Sequence, residues 1–243
     1  VYTFSLNYIF SKISFLKDKK NSLIHKNFVN KSLTPPFSGG TIFLITLLFF
    51  FSQNNFYFTI LFLSIYLIGF MSDTNILKSP NFRFFLQLLI LIIFIGFLEI
   101  SIDSIRVNYF DGLLKNIYFN IFFTTFCVLV LINGTNFIDG LNTIVLGYYT
   151  LVLIFINIVL NNLSSNLVEP EIFVILISAL LLLFLLNFFE LLYLGDNGAY
   201  LLSVFFGIYL INIYNENSQI SPYYIMNLLW YPAYENLFSI IRK

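Results

Sequence analysis

The chain has 243 residues, of which 59% are hydrophobic and only 10% charged; twelve Lys and Arg balance twelve Asp and Glu, and mean hydropathy is +0.88. Soluble domains carry roughly 25% charged residues, so a soluble globular domain is excluded, and zero formal net charge argues against a nucleic-acid binder. Cys127 is alone, which excludes an intrachain disulfide, and its apolar surroundings give it a packing role.

A helix crossing the hydrocarbon core needs roughly 20 mostly apolar residues, and the cost of unpaired backbone in lipid makes every such run a helix. Apolar runs with few or no charges predict an all-α, polytopic bundle of nine spans: 1–16, 38–52, 56–72, 83–99, 117–133, 140–160, 171–189, 197–213 and 220–241. Val1 to Leu16 lacks the basic start and small-residue cleavage site of a signal peptide, so it reads as part of a first span. With no initiating Met and a last span running into Arg242-Lys243, the sequence predicts one integral membrane domain over 1–243, cut at both ends. The basic loop after the first span holds His25, the only histidine, which cannot build a metal site by itself. Thr34-Pro35-Pro36-Phe37-Ser38-Gly39-Gly40 predicts a rigid turn with room for close backbone contact, and Ser52-Gln53-Asn54-Asn55 a turn between spans. Residues 100–116, with Asp103, Arg106 and Asp111, predict a small hairpin or interfacial segment.

Parity assigns the sides. Asp73 follows the third span, Asp139 the fifth and Asp196 the seventh, so all three acids emerge on one face. That face also carries ten of the twelve Lys and Arg, leaving Arg106 and Lys115 on the other. The positive-inside bias makes the motif face cytoplasmic. Cysteines placed at positions 75 and 193 in a Cys127→Ala background should therefore label from the same side; labelling from opposite sides would end the parity argument.

Each acid lies in a short polar motif with an ordinary alternative. Asp73 precedes Ser79-Pro80 and has Lys78 and Arg83 nearby, and the alternative is a solvated loop. Asn133, Asn136, Asp139 and Asn142 recur every third residue, one drifting stripe on a helix. Such a stripe is expensive in lipid unless it faces a cavity or partners; hydrogen bonding between helices is its alternative. Asp196 stands between Gly195 and Asn197-Gly198 at the start of a span, where a helix N-cap is the alternative. The 32 phenylalanines read as lipid-facing and packing mass.

In order along the chain, these segments resemble the polyprenyl-phosphate N-acetylhexosamine-1-phosphate transferases, a superfamily that also holds the phospho-MurNAc-pentapeptide translocase. Pro35 to Gly40, behind His25-Lys26, looks like the Pro-x-x-Gly-Gly end of the family's first cytoplasmic loop; Ser72-Asp73 with Ser79-Pro80 and Arg83 resembles its Asp-Asp and Ser-Pro-x-x-Arg motifs. Asn133 to Gly140 is similar to its Asn-x-x-Asn-x-x-Asp-Gly, Gly195 to Gly198 to its Gly-Asp-Ser/Thr-Gly, and Pro232 to Glu235 to its Pro-x-x-Asp/Glu. Ser72 and Asn142 stand where the family has Asp, and its His-rich last loop would fall beyond Lys243.

The resemblance implies transfer of an N-acetylhexosamine 1-phosphate from a UDP-sugar to polyprenyl (undecaprenyl) phosphate, releasing UMP and initiating a cell-envelope polysaccharide such as an O-antigen. It implies Mg²⁺, with Mn²⁺ as a substitute, on Asp196, catalytic roles for Asp73 and Asp139, and substrate contacts from Asn133, Asn136, Lys78, Arg83 and Gly195. It implies a bacterial inner-membrane location with the site on the cytoplasmic face, and admits a homodimer. Two other readings stay open: a transporter or flippase whose polar residues line a pathway, and an inactive relative acting as a scaffold, which Ser72 supports.

Overall fold

The computed structural model describes Tyr8 and residues 37–51, 56–163 and 170–242. The first predicted span, the basic loop with His25 and Lys26, Pro35-Pro36 and the Ser52–Asn55 turn lie outside the described residues. Within them the apolar runs form ten helices and no strand. They are α1 (Gly39–Phe51), α2 (Phe56–Asp73), α3 (Pro80–Phe97), α4 (Asn108–Leu114), α5 (Ile117–Ile138), α6 (Ile144–Asn162), α7 (Pro170–Phe188), α8 (Gly195–Glu216), α9 (Pro222–Leu228) and α10 (Trp230–Ile241).

Five of these helices, α2, α3, α5, α6 and α8, are long and apolar enough to cross a membrane, which makes this a membrane protein. Stretches of α1 and α7 are apolar but shorter. The predicted span 220–241 is not one helix: it breaks at Leu229 (φ −108°, ψ 7°) into α9 and α10. At 1.5 Å per residue the 12 residues of α10 reach about 18 Å, short of the hydrocarbon thickness. Of the nine predicted spans, five thus form helices long and apolar enough to cross, 38–52 and 171–189 form α1 and α7, and 220–241 is divided in two. The segment 100–116 holds the short helix α4, entered through Ile105 N–H and Ser104 Oγ–H donating to Asp111 at 2.8 and 2.9 Å.

Local chemistry sets the helix ends that matter. α2 closes when Ile76 N–H reaches Met71 O and Asn75 N–H reaches Ser72 O, both at 2.9 Å, with Asn75 left-handed at φ 61°. This is the paired bonding that satisfies a helix's last carbonyls, and Asn tolerates the left-handed position. α3 then starts at Pro80, with the Ser79 hydroxyl accepting from Phe82 N–H at 3.4 Å.

α8 is the axis of the bundle. It is buried along nearly its whole length and packs against α1, α2 and α5. In lipid, helices associate through close packing rather than hydrophobic exclusion, which favours small residues at the contact. Here Gly40 of α1 lies against Asn197 and Gly198, Gly69 of α2 against the Asp196–Asn197 backbone, and Gly207 of α8 against Leu131 and Val128 of α5. Lower down, the buried Tyr149 ring of α6 stacks on Phe206 at 4.6 Å, and its hydroxyl meets that of Thr135 at 2.7 Å. α3, by contrast, turns Phe82, Phe85, Ile93 and Phe97 outward, as a lipid-facing helix does. The phenylalanines thus serve both perimeter and core.

Candidate active site

α2 and α5 end, and α3 and α8 begin, at one end of the bundle, and that end carries Asp73, Asp139, Arg83 and Asp196. Arg106 and Lys115 flank the opposite end, next to the start of α5.

The first turn of α8 organises the cluster. Gly195 is left-handed at φ 74°, and a side chain there would meet the Asp73 carboxylate and Phe37. Only glycine fits, for both reasons. The approach brings Asp73 onto the helix start: Asp196 N–H donates to Asp73 Oδ1 at 2.9 Å and Asn197 N–H to Asp73 Oδ2 at 3.1 Å. The first N–H groups of a helix lack partners within it, and a carboxylate opposite them also suits the helix dipole. The cap of α8 is therefore supplied across the bundle by Asp73. Asp196 is not the N-cap; Leu194 holds that position without a side-chain bond.

Freed from capping, the Asp196 carboxylate faces α3 and α2. Arg83 Nη1 donates to its Oδ2 at 2.6 Å, with the two side chains 19% and 27% exposed, so the pair is only partly screened by water. The Ser72 hydroxyl donates to the same oxygen and accepts from Arg83. Tyr200, one turn further along α8, completes the group, with its hydroxyl 3.5 Å from Asp196 Oδ2 and 3.4 Å from Arg83. Ser72 thus occupies the family's first Asp position while remaining bonded within the cluster.

Asp139 caps the end of α5, its N–H bonded to Thr135 O at 3.0 Å. Burial, and then the charges of Asp196 and Asp73, push its carboxyl well above the ordinary carboxylate range. A raised acid favours its protonated form in the folded state, so its stabilising contribution is present at low pH and falls as pH rises through the folded value. In EDTA, the melting temperature of the wild type should drop from about pH 5 to about pH 8 more than that of Asp139→Asn. Equal drops would separate Asp139 from the other two acids.

The remaining predicted residues divide. Asn133 and Asn136 lie in the last turns of α5, which runs to Ile138 rather than 133, and Asn133 Nδ2 donates to Leu129 O at 2.8 Å. Its bond is within its own helix, not between helices. Lys78 is exposed on the loop before α3 and lies outside the bonded cluster. Predicted span 140–160 begins later, at Ile144, so 139–143 is a connecting turn. Two participants were not identified from sequence. Tyr200 was readable in principle from its place four residues after Asp196; Ser72 was noted only as a missing acid.

For a cation, the donor set is sparse. No group of three or more His, Cys, Asp or Glu able to hold a metal occurs among the described residues. Mg²⁺ asks for little, being held by one or two carboxylates plus substrate phosphates. Asp196 keeps its second oxygen outside the Arg83 pair, so one carboxylate oxygen stays available to a cation. The residues fit such an ion once a phosphate ligand joins them.

The fold and site define a helical membrane protein with a cluster of acids and an arginine at one end of its bundle. The family model for glycosyl transferase family 4 matches residues 55–214, which is more than half of the chain and includes all four charged residues of the cluster. The chain belongs to this family of sugar-phosphate transferases, which are divalent-metal dependent and act on polyprenyl phosphate. No curated protein matches it.

Proposed function

We propose that the chain transfers an N-acetylhexosamine 1-phosphate from a UDP-sugar to undecaprenyl phosphate at the cytoplasmic face of a bacterial inner membrane, releasing UMP. The observation that carries this reading is the Asp196 carboxylate. It is fixed at the start of α8 by the Asp73 cap and sits beside Arg83, at the same end of the bundle as Asp139. Phosphoryl transfer is mostly positioning and charge neutralisation, and this cluster offers both.

Asp196 and Asp139 would hold Mg²⁺, or Mn²⁺ in its place. A divalent ion held there would supply positive charge to offset that of the phosphates. Both Asp73 oxygens accept backbone N–H bonds, so we assign Asp73 to fixing Asp196 at the start of α8. Arg83 adds fixed positive charge beside the phosphates, and Gly195 gives the backbone its close approach. Asn133 spends its amide N–H on Leu129 O, leaving its carbonyl oxygen for a base N–H, with Asn136 one turn on. Lys78, exposed at the rim, suits a role in attracting the nucleotide.

For the isoprenoid tail of the acceptor we assign an apolar groove that extends toward Ile102, Ile105 and Pro222, the end of the bundle opposite the acids. This groove, of about 560 Å³ between α5, α8 and the α9–α10 pair, is lined by Phe123, Phe126, Leu131, Ile211, Trp230 and Leu237. Its walls are almost wholly apolar, as an isoprenoid chain requires.

Membranes holding the full protein should release UMP from a UDP-N-acetylhexosamine only with undecaprenyl phosphate and Mg²⁺ both present. Full activity in EDTA would defeat the metal-dependent reading. Substrate movement without UMP release would favour a transporter.

A further inference from the structure

Asn187 belongs to none of the motifs above, yet it is the side chain that ties two of their loops together. It lies in the last turn of α7 and is 4% exposed. Its Oδ1 accepts from Thr143 N–H at 2.5 Å, and its Nδ2 donates to Leu192 O at 2.9 Å. Thr143 closes the turn that follows Asp139, and Leu192 lies four residues before Asp196. One amide thus accepts from the Asp139 loop and donates to the Asp196 loop.

Both loops are unusual where Asn187 holds them. Thr143 is left-handed at φ 71°, a conformation that a β-branched residue adopts only when its surroundings impose it. The other loop leaves α7 through Glu190, also left-handed at φ 54°. There Leu191 N–H bonds to Leu186 O at 2.8 Å and Glu190 N–H to Asn187 O at 3.0 Å, a closed helix end. The chain then continues past Leu192 to Tyr193, whose carbonyl accepts from Gly39 N–H at 3.2 Å, and reaches Gly195. Without Asn187, Thr143 N–H and Leu192 O would each lose a partner in a largely buried place, and the strained turn would lose the bond that opposes its relaxation.

We propose that Asn187 is a positioning residue that sets the separation of Asp139 and Asp196 by clamping the 139–143 turn to the 189–195 loop. It touches no reacting atom; it acts through the two acids. The catalytic consequence rests on the transferase reading, whereas the clamp itself does not.

The test separates the two. Spin labels at Leu141→Cys and Leu191→Cys, both exposed positions on the two loops, report their separation in a Cys127→Ala background. A second pair at Tyr57→Cys and Phe97→Cys, whose native rings lie 4.6 Å apart at the other end of α2 and α3, reports the bundle. In Asn187→Ala the 141–191 distance distribution should broaden while the 57–97 pair stays as in the parent. Asn187→Leu, close in volume but without either bond, should do the same and covers an alanine variant that fails to fold. Turnover should fall about a hundredfold, the penalty of misplacing reacting groups by about 1 Å, with KM for the UDP-sugar changed far less. An unchanged 141–191 distribution would overturn the clamp, and so would equal broadening at both pairs, which means general loosening. If the parent protein releases no UMP, the transferase reading fails while the spin-label result still decides the clamp.

Discussion

Asp196→Asn should lower turnover by more than about a hundredfold while the protein still folds and inserts. Losing even an outer partner of a metal ligand costs 10–100-fold, and Asp196 is the residue on which the cluster converges: Arg83, Ser72 and Tyr200 all meet its Oδ2. The amide keeps the shape but removes the charge, so Arg83 would face a neutral partner and a divalent cation would lose its strongest donor. The backbone N–H bonds to Asp73 do not involve the Asp196 side chain, which is why the fold should survive. Raising Mg²⁺ should recover part of the activity. A fully active Asp196→Asn protein would remove Asp196 from the mechanism.

Gly69→Ala should destabilise the protein strongly, because it strikes the start of α8. A Cβ at Gly69 would fall within 3.0 Å of three backbone atoms, Asn197 N, Asn197 Cα and Asp196 C, and backbone cannot swing aside as a flexible side chain can. Overpacking a well-packed interior costs typically 1–3 kcal/mol, and a helix pushed off backbone belongs at or above about 3 kcal/mol on that scale. The displacement falls at the first turn of α8, so the Asp73 cap opens together with the packing. A thermal melt in detergent checks this. Gly112, with nothing within 4 Å of its Cβ position, is the control: Gly112→Ala should melt with the wild type.

Much of the architecture was readable because the bilayer forces it. Apolar runs of the right length become helices, and α2, α3, α5, α6 and α8 lie where hydropathy put them. Parity placed three acids on one face, and in the structure Asp73 caps the start of α8 while Asp139 feels both other charges. What stayed hidden depends on contacts far apart in sequence. Asp196 looked like a possible cap of its own helix; the cap comes from Asp73, 123 residues away. The span predicted to stop at 133 continues as α5 through Asn136 to Ile138, since half-buried polar side chains do not oblige a helix to end in lipid. Hydropathy read one span across Leu229, but Pro232 has no N–H for Leu228 O, which accepts from the Tyr148 hydroxyl instead, and the helix divides there. Asn187 gave no signal at all. A single Asn in an apolar run looks like a tolerated polar residue until its two backbone partners are seen.

The most direct measurement follows the β-phosphate. With a UDP-N-acetylhexosamine labelled there, and with undecaprenyl phosphate and Mg²⁺ supplied to membranes holding the full protein, the label should pass into the lipid fraction as UMP appears in equal amount. Transfer of the sugar 1-phosphate carries the β-phosphate with the sugar and leaves the α-phosphate on the nucleoside. Label that remains in the aqueous phase as UDP while the sugar reaches the lipid would mean transfer of the sugar alone, and would contradict the account.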